Sequence, residues 1–153
     1  MKGAALLAAL ALVLGACHGS APPGAEVYAE SGLAVIPLTV TSACGTHRFK
    51  VELAQSKFDQ AKGLMFRTRL GPDEGMIFPL DPPRGASFWM RNTVIPLDLL
   101  FIAPDGTIAN IAANARPYDE THLDSAGPVK AVLEIPGGRA AELGIAAGDR
   151  VEW

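Results

Sequence analysis

The clearest alternation in the chain is HRFKVEL, from His47 to Leu53, which sets Phe49, Val51 and Leu53 on one face and the charged residues on the other. That pattern predicts a half-solvated strand. The segment before it, Val35 to Thr41, is β-prone, but Pro37 confines it to an edge or a bulge. Ala43-Cys44-Gly45-Thr46 could join the two as a hairpin. Ser56 with Asp59 three residues on forms a capping pattern and Gly63 a stop, which predicts one or two helical turns over Lys57 to Lys62. Leu64-Met65-Phe66 is expected to pack inward, Arg67 to Gly75 to form a loop, and Met76 to Leu80 a short strand ended by Asp81-Pro82-Pro83.

The second half repeats the strand signal. Ser87 to Arg91 alternates, with Phe88 and Met90 on one face and Trp89 and Arg91 on the other. In Leu97 to Ile102 both faces are apolar, as expected of a central strand covered on both sides. Ala103-Pro104-Asp105-Gly106 turns that strand back into Thr107 to Ile111. Arg116 to Pro128 is polar and rich in turn residues, a long loop of the kind that carries function. Val129 to Ile135 resumes alternation, Gly137-Gly138 and Arg139 to Leu143 predict a tight turn and one helical turn, and Arg150 to Trp153 a last strand. Many short strands with one or two short helices predict a mainly β (β-rich α+β) domain, barrel- or sandwich-like.

The amino end departs from this pattern. Met1-Lys2 and the apolar run Ala4 to Leu14 are too short to span a bilayer, and Leu14-Gly15-Ala16-Cys17 looks like a lipobox, with Cys17 as the lipidated residue. The expected organisation is a lipoprotein signal over 1–17, a Gly/Pro/Ser/Ala-rich tether over 18–33, and one β-rich domain over 34–153. This predicts an exported protein anchored by Cys17 on the periplasmic side of a bacterial membrane. With 13 basic and 16 acidic residues, a net charge of −3 and no basic cluster, nucleic acid is not expected as a partner. The chain has 2 cysteines, so lipidation of Cys17 leaves Cys44 without a disulfide partner.

Five ordered stretches carry a family pattern: GLMFR (Gly63 to Arg67), GMIF (Gly75 to Phe78), FWMRNT (Phe88 to Thr93), PLDLLF (Pro96 to Phe101) and VLEIPGG (Val132 to Gly138). Together they resemble the bacterial and archaeal family known as domain of unknown function 192, over about Val51 to Val151. The resemblance implies a small β-rich domain, often secreted or membrane-tethered, with no established reaction and no catalytic residue to carry over.

Candidate chemistry therefore rests on side chains. Asp98 falls on the same strand face as Leu100 and Ile102, where an unpaired carboxylate would be costly, so it needs partners. These could be backbone N–H groups, or Asn92, Thr93 or an arginine, tying the Asn92 to Pro96 turn to the sheet; alternatively Asp98 is an acid or base working with Glu134 or His122. No nucleophile elbow, Ser-His-Asp order or HExxH motif is present. Trp89 beside Arg91 could stack on a sugar or another flat ligand, with the Arg116 to Pro128 loop as one wall, or serve as a core residue. Met65, Met76 and Met90 could bind Cu(I), although methionine also fills core gaps. Cys44 with His47 is a weak zinc pair.

The expected function is an unassigned, non-enzymatic ligand-binding or interaction module, its candidate contacts being Trp89, Arg91, Asn92, Asp98, His122 and Glu134. Its ligand, small molecule or protein, is unknown, and no cofactor is expected. The alternatives are a hydrolase-like enzyme using Asp98 with Glu134 or His122, and a soft-metal binder using the three methionines.

Overall fold

The computed structural model describes residues 26–27 and 31–153. The expected signal segment with Cys17, and 18–25 and 28–30 of the expected tether, lie outside the described residues. The strands are β1 (Glu26–Val27), β2 (Ala34–Ser42), β3 (Gly45–Leu53), β4 (Glu74–Arg84), β5 (Ser87–Phe88), β6 (Leu97–Ile102), β7 (Ile108–Ala115), β8 (Leu123–Asp124), β9 (Val129–Pro136) and β10 (Arg150–Glu152). The helices are α1 (Lys57–Lys62) and α2 (Arg139–Leu143).

Eight strands form one sheet in the order β1-β2-β3-β4-β9-β6-β7, with β10 paired to β2. The sheet curls into a half-barrel, and a bridge between Thr107 and Arg150 links its two ends. The domain is β-rich with few helices, as the alternation predicts. All pairings are antiparallel except β3 with β4, which is parallel and needs the crossover that α1 and the following loop supply. Pro37 fits because it falls in a gap: on its outer side β2 pairs with β1 through Ala34 and Val35 and with β10 through Thr39 to Thr41. No ladder hydrogen bond is asked of a residue that cannot donate one.

The centre of the sheet is covered on both sides. One core gathers Leu38, Val40, Phe49, Val51, Ile77, Leu100, Ile102, Leu133 and Ile135 inside the curl. The other gathers Leu64, Met76, Phe78, Met90, Leu97, Leu99, Phe101 and Val132 beneath the connecting segments. β6 supplies alternate residues to the two, all buried, so its period of two is read out as membership of two cores. α1 is capped as expected, with Ser56 Oγ accepting from Asp59 N at 3.0 Å. Beyond Pro79, β4 continues irregularly to Arg84, which pairs with Val129.

Four expectations are corrected. Phe66 does not pack inward: it is 68% exposed, because its backbone sits at φ 62 and turns the ring outward while Leu64 takes the core position. Glu52 is not on a solvated face: the residues after α1 fold over β3 and bury it to 1% exposure, with Arg67 as its ion-pair partner at 2.8 Å. Strand pairing at Ser87 to Arg91 stops after Phe88, although Met90 is buried and Trp89 and Arg91 are exposed, in keeping with the alternation. The Arg116 to Pro128 loop contains β8, which pairs with β5. A two-residue pairing depends on the partner more than on local sequence, so no alternation announces it.

Candidate functional site

Reading across the sheet, Glu52 of β3 lies beside Met76 of β4, Met76 beside Glu134 of β9, and Glu134 beside Leu99 of β6. This row faces the core beneath the connecting segments, so an otherwise apolar layer contains two acids. Glu52 has Arg67, whose Nη2 also donates to its Oε2 at 3.0 Å. Glu134 has nothing comparable: it is 5% exposed, and no donor among the described residues pairs with its carboxyl. Burial alone pushes its pKa up to about 8, since water is removed and no opposite charge replaces it.

Glu134 is reached through a cleft of about 220 Å3. Its walls are Gly63 and Met65 after α1, Phe78 of β4, Phe88 of β5 and Trp89, with Lys62, Arg91 and Thr93 completing it. Phe88 stands edge-on to Phe78, ring centroids 5.2 Å apart, and so lines the cleft while covering the core. Gly63 is required there: at φ 47, a side chain would meet the Phe78 ring at 3.3 Å. Trp89 is 42% exposed, and the Arg91 guanidinium lies 4.8 Å from its ring centroid. Arg91 also reaches Glu120 at 3.3 Å, which fixes one wall to the Arg116 to Pro128 loop. A larger hollow of about 480 Å3 adjoins the cleft and shares Lys62, Gly63 and Met65 with it; there the buried polar group, Arg67, is already paired.

The turn beside the cleft is a hydrogen-bonding hub. Phe66 N donates to Asn92 O at 2.8 Å, Tyr118 N to Thr93 O at 3.1 Å, and Met90 N to Asp119 O at 2.8 Å. Three residues of this hub hold positive φ without being glycine: Phe66 (62), Asn92 (54) and Tyr118 (62). For a bulky aromatic residue that conformation is costly and persists only when its surroundings impose it. It leaves the Phe66 and Tyr118 side chains exposed to solvent.

The structure separates the other sequence candidates. Asp98 pairs with Ile135 rather than Glu134 and faces the opposite core. Its Oδ1 accepts from Asn114 N at 2.6 Å and Gly138 N at 2.9 Å, and its Oδ2 from Ala140 N at 2.8 Å. It therefore ties β7 and the start of α2 to the sheet, and does not tie the Asn92 to Pro96 turn. His122 is exposed and shares a 2.7 Å hydrogen bond with Ser87, which lines the cleft. Asp98, Glu134 and His122 thus share no cleft. Asn92 is exposed and donates to Met65 Sδ at 3.8 Å. Met76 and Met90 are core residues and Met65 lines the cleft; Met65 and Met76 border the larger hollow, whereas Met90 borders another. Among the described residues no group of three or more His, Cys, Asp and Glu is placed to hold a metal ion. His47 shares a hydrogen bond with Ser42, and exposed Cys44 lies against Gly144.

Sequence reasoning did not name Lys62, Phe88 or Thr93 as cleft residues. Lys62 and Thr93 read as a helix end and a turn. Only the helix stop at Gly63, followed by Leu64 and Met65, hinted that the chain doubles back over the sheet.

The model of the DUF192 family, described as Uncharacterized ACR, matches residues 38–153. The chain belongs to this family. Membership covers every residue of the cleft. Among solved structures, a protein of unknown function from Novosphingobium aromaticivorans DSM 12444 is 60% identical, with a TM-score of 0.84 over 85% of this chain and 93% of that one. The structure of "a putative transcription regulator" from Sinorhizobium meliloti 1021 is 44% identical, with a TM-score of 0.76 over 78% of this chain and 94% of that one. No curated protein matches the chain.

Proposed function

We propose that this member of the family is an exported envelope protein, anchored through Cys17, whose domain is a non-enzymatic module binding a small molecule in the cleft above Glu134. The observation that carries the reading is a buried carboxyl with no partner among the described residues at a cleft walled by Met65, Phe78, Phe88 and Trp89. A protein stabilised only for its own sake would gain by pairing that group or replacing it with an apolar one. Leaving it unpaired reserves its hydrogen-bonding capacity for a ligand. The apolar walls supply contact area and exclude water, and the few polar groups set orientation.

A ligand that binds only the folded state raises the melting temperature with its concentration. Thermal-shift titration with a set of small polar molecules is expected to find a saturable rise that disappears in Ala61→Phe. Ala61 is an exposed α1 residue lining the cleft, so the larger ring fills the site without disturbing the core. An equal response in both proteins would place binding elsewhere and sink the proposal. The anchor has its own test: wild-type protein should partition with detergent and carry a lipid mass on its amino-terminal peptide, and Cys17→Ala should abolish both.

A further inference from the structure

Most polar groups lining the cleft already have partners. Gln60 Nε2 donates to Ala54 O at 3.1 Å and Pro79 O at 2.8 Å, Thr93 Oγ1 donates to Arg91 O at 3.3 Å, and Ser87 Oγ pairs with His122. What remains is the Glu134 carboxyl, without a donor among the described residues, and the exposed cations Lys62 and Arg91, the second shared with Glu120. The rest of the lining is apolar, with three aromatic rings (Phe78, Phe88 and Trp89) and the Met65 thioether. A carboxylate among aromatic faces is the complement of an organic cation. Exposed ammonium and guanidinium groups complement a carboxylate or phosphate. At about 220 Å3 the cleft is smaller than the usual site for a drug-sized molecule, so both features fall within reach of one small ligand.

We infer that the cleft takes a small zwitterion, its ammonium end toward Glu134 and its anionic end toward Lys62 and Arg91. This rests on the cleft being the binding site and adds the class of ligand. It also fixes a proton count. The groups facing Glu134 from the adjoining strands, Met76 and Leu99, do not titrate; the charged groups that line the cleft from the covering segments are Lys62 and Arg91, and the other acid in the row, Glu52, is held by Arg67 of the same covering segment. Without an added cation Glu134 is largely the neutral acid at neutral pH, because burial raises its pKa to about 8. An ammonium stabilises the carboxylate, so binding releases that proton to solvent. Affinity for a zwitterion therefore rises about tenfold per unit between about pH 6 and about pH 8, and levels above that range. A neutral ligand that accepts a hydrogen bond from the acid gives the opposite sign.

The test is calorimetric titration of the protein with three zwitterions (glycine betaine and phosphocholine, with a quaternary ammonium, and β-alanine, whose primary ammonium can donate to the carboxylate), with choline as a cation lacking the anionic end, and with 3,3-dimethylbutan-1-ol and glucose as neutral probes. At least one zwitterion should bind with the stated pH dependence, and choline at least tenfold more weakly. Glu134→Gln should lower zwitterion affinity at least tenfold and remove its pH dependence, with the circular dichroism spectrum unchanged. Lys62→Met, on the exposed end of α1, should weaken the zwitterion and leave choline unchanged. Affinity that falls with rising pH, neutral probes that bind as well as the zwitterions, or no zwitterion binding would each overturn the inference. The cleft reading survives any of these if some other probe stabilises the parent protein and not Ala61→Phe; it fails separately if every stabilising probe acts equally on both.

Discussion

Asp98 and Glu134 occupy neighbouring strands of one sheet, are both buried, and face opposite cores. Asp98 accepts hydrogen bonds from the backbone amides of Asn114, Gly138 and Ala140; Glu134 accepts none from the described residues. The two sites bury the same chemical group for opposite ends. At Asp98 the carboxylate serves the fold: its charge replaces the missing partners of amides at a strand end and at the start of a short helix. At Glu134 the fold leaves the carboxyl unmatched and builds an opening above it. Burial by itself therefore says little about role, and the count of donors separates a fastening from a site.

Asp98→Ala should give the largest effect on that contrast. It takes a charged acceptor from three backbone amides, that of buried Ala140 and the part-buried ones of Asn114 and Gly138, so chemical denaturation should show a loss of about 3–5 kcal/mol with no direct change at the cleft. Asp98→Asn, which keeps one acceptor oxygen, should lose less. A loss below about 1 kcal/mol for the alanine variant would place Asp98 with Glu134 as a group that the fold does not need.

Arg67→Met tests the intermediate case, a buried acid held by one charged partner, with a hydrogen bond at Oε2 and only the ion pair at Oε1. Removing the arginine leaves Glu52 buried and unpaired, and about 3 kcal/mol should be lost. The variant would turn Glu52 into a second Glu134, without a cleft to use it.

Glu134→Gln should change the shape of the stability profile more than its height. The folded-state pKa of Glu134 is raised from 4.5 to about 8, so the folded protein holds the proton where the unfolded chain has released it. Its contribution is fully present below the unfolded value and is lost as pH rises through that window, by up to roughly 1.4 kcal/mol per unit. Glutamine, which does not ionise, should flatten this part of the curve when denaturation midpoints are measured from about pH 5 to about pH 8. Retention of the wild-type slope would assign the titration to another group.

Trp89→Ala should have the smallest effect on stability. The ring is 42% exposed and its partner Arg91 sits in a surface ion pair, so the loss should stay within about 1 kcal/mol. The same change should abolish the cleft's thermal-shift response. A large stability loss would return Trp89 to the core, the role that aromatic residues fill most often.

Strand alternation told in advance that Asp98 shares a face with Leu100 and Ile102 and that Trp89 and Arg91 lie together, and the Ser56 cap and Gly63 stop told where α1 begins and ends. These are local properties, set by a side-chain period of two along a strand and by the few residues that satisfy a helix terminus. Glu52 shows where that reasoning stops. Its alternation is that of a solvated position, yet Arg67 and the segment after α1 cover it, and coverage by a distant segment leaves no trace in the pattern of the strand it covers.

The sequence by itself determined the β-rich class, the positions of the main strands and both helices, the family, and the strand face that Asp98 shares with Leu100 and Ile102. Only the tertiary structure decided which acid is matched. The donors to Asp98 are backbone amides from residues 16 to 42 positions away. Every residue except proline carries the same amide, so nothing in the sequence marks those that will arrive. The opening over Glu134 is likewise a product of how the segments around Gly63 and Trp89 are laid over one sheet, and becomes visible once the chain has folded.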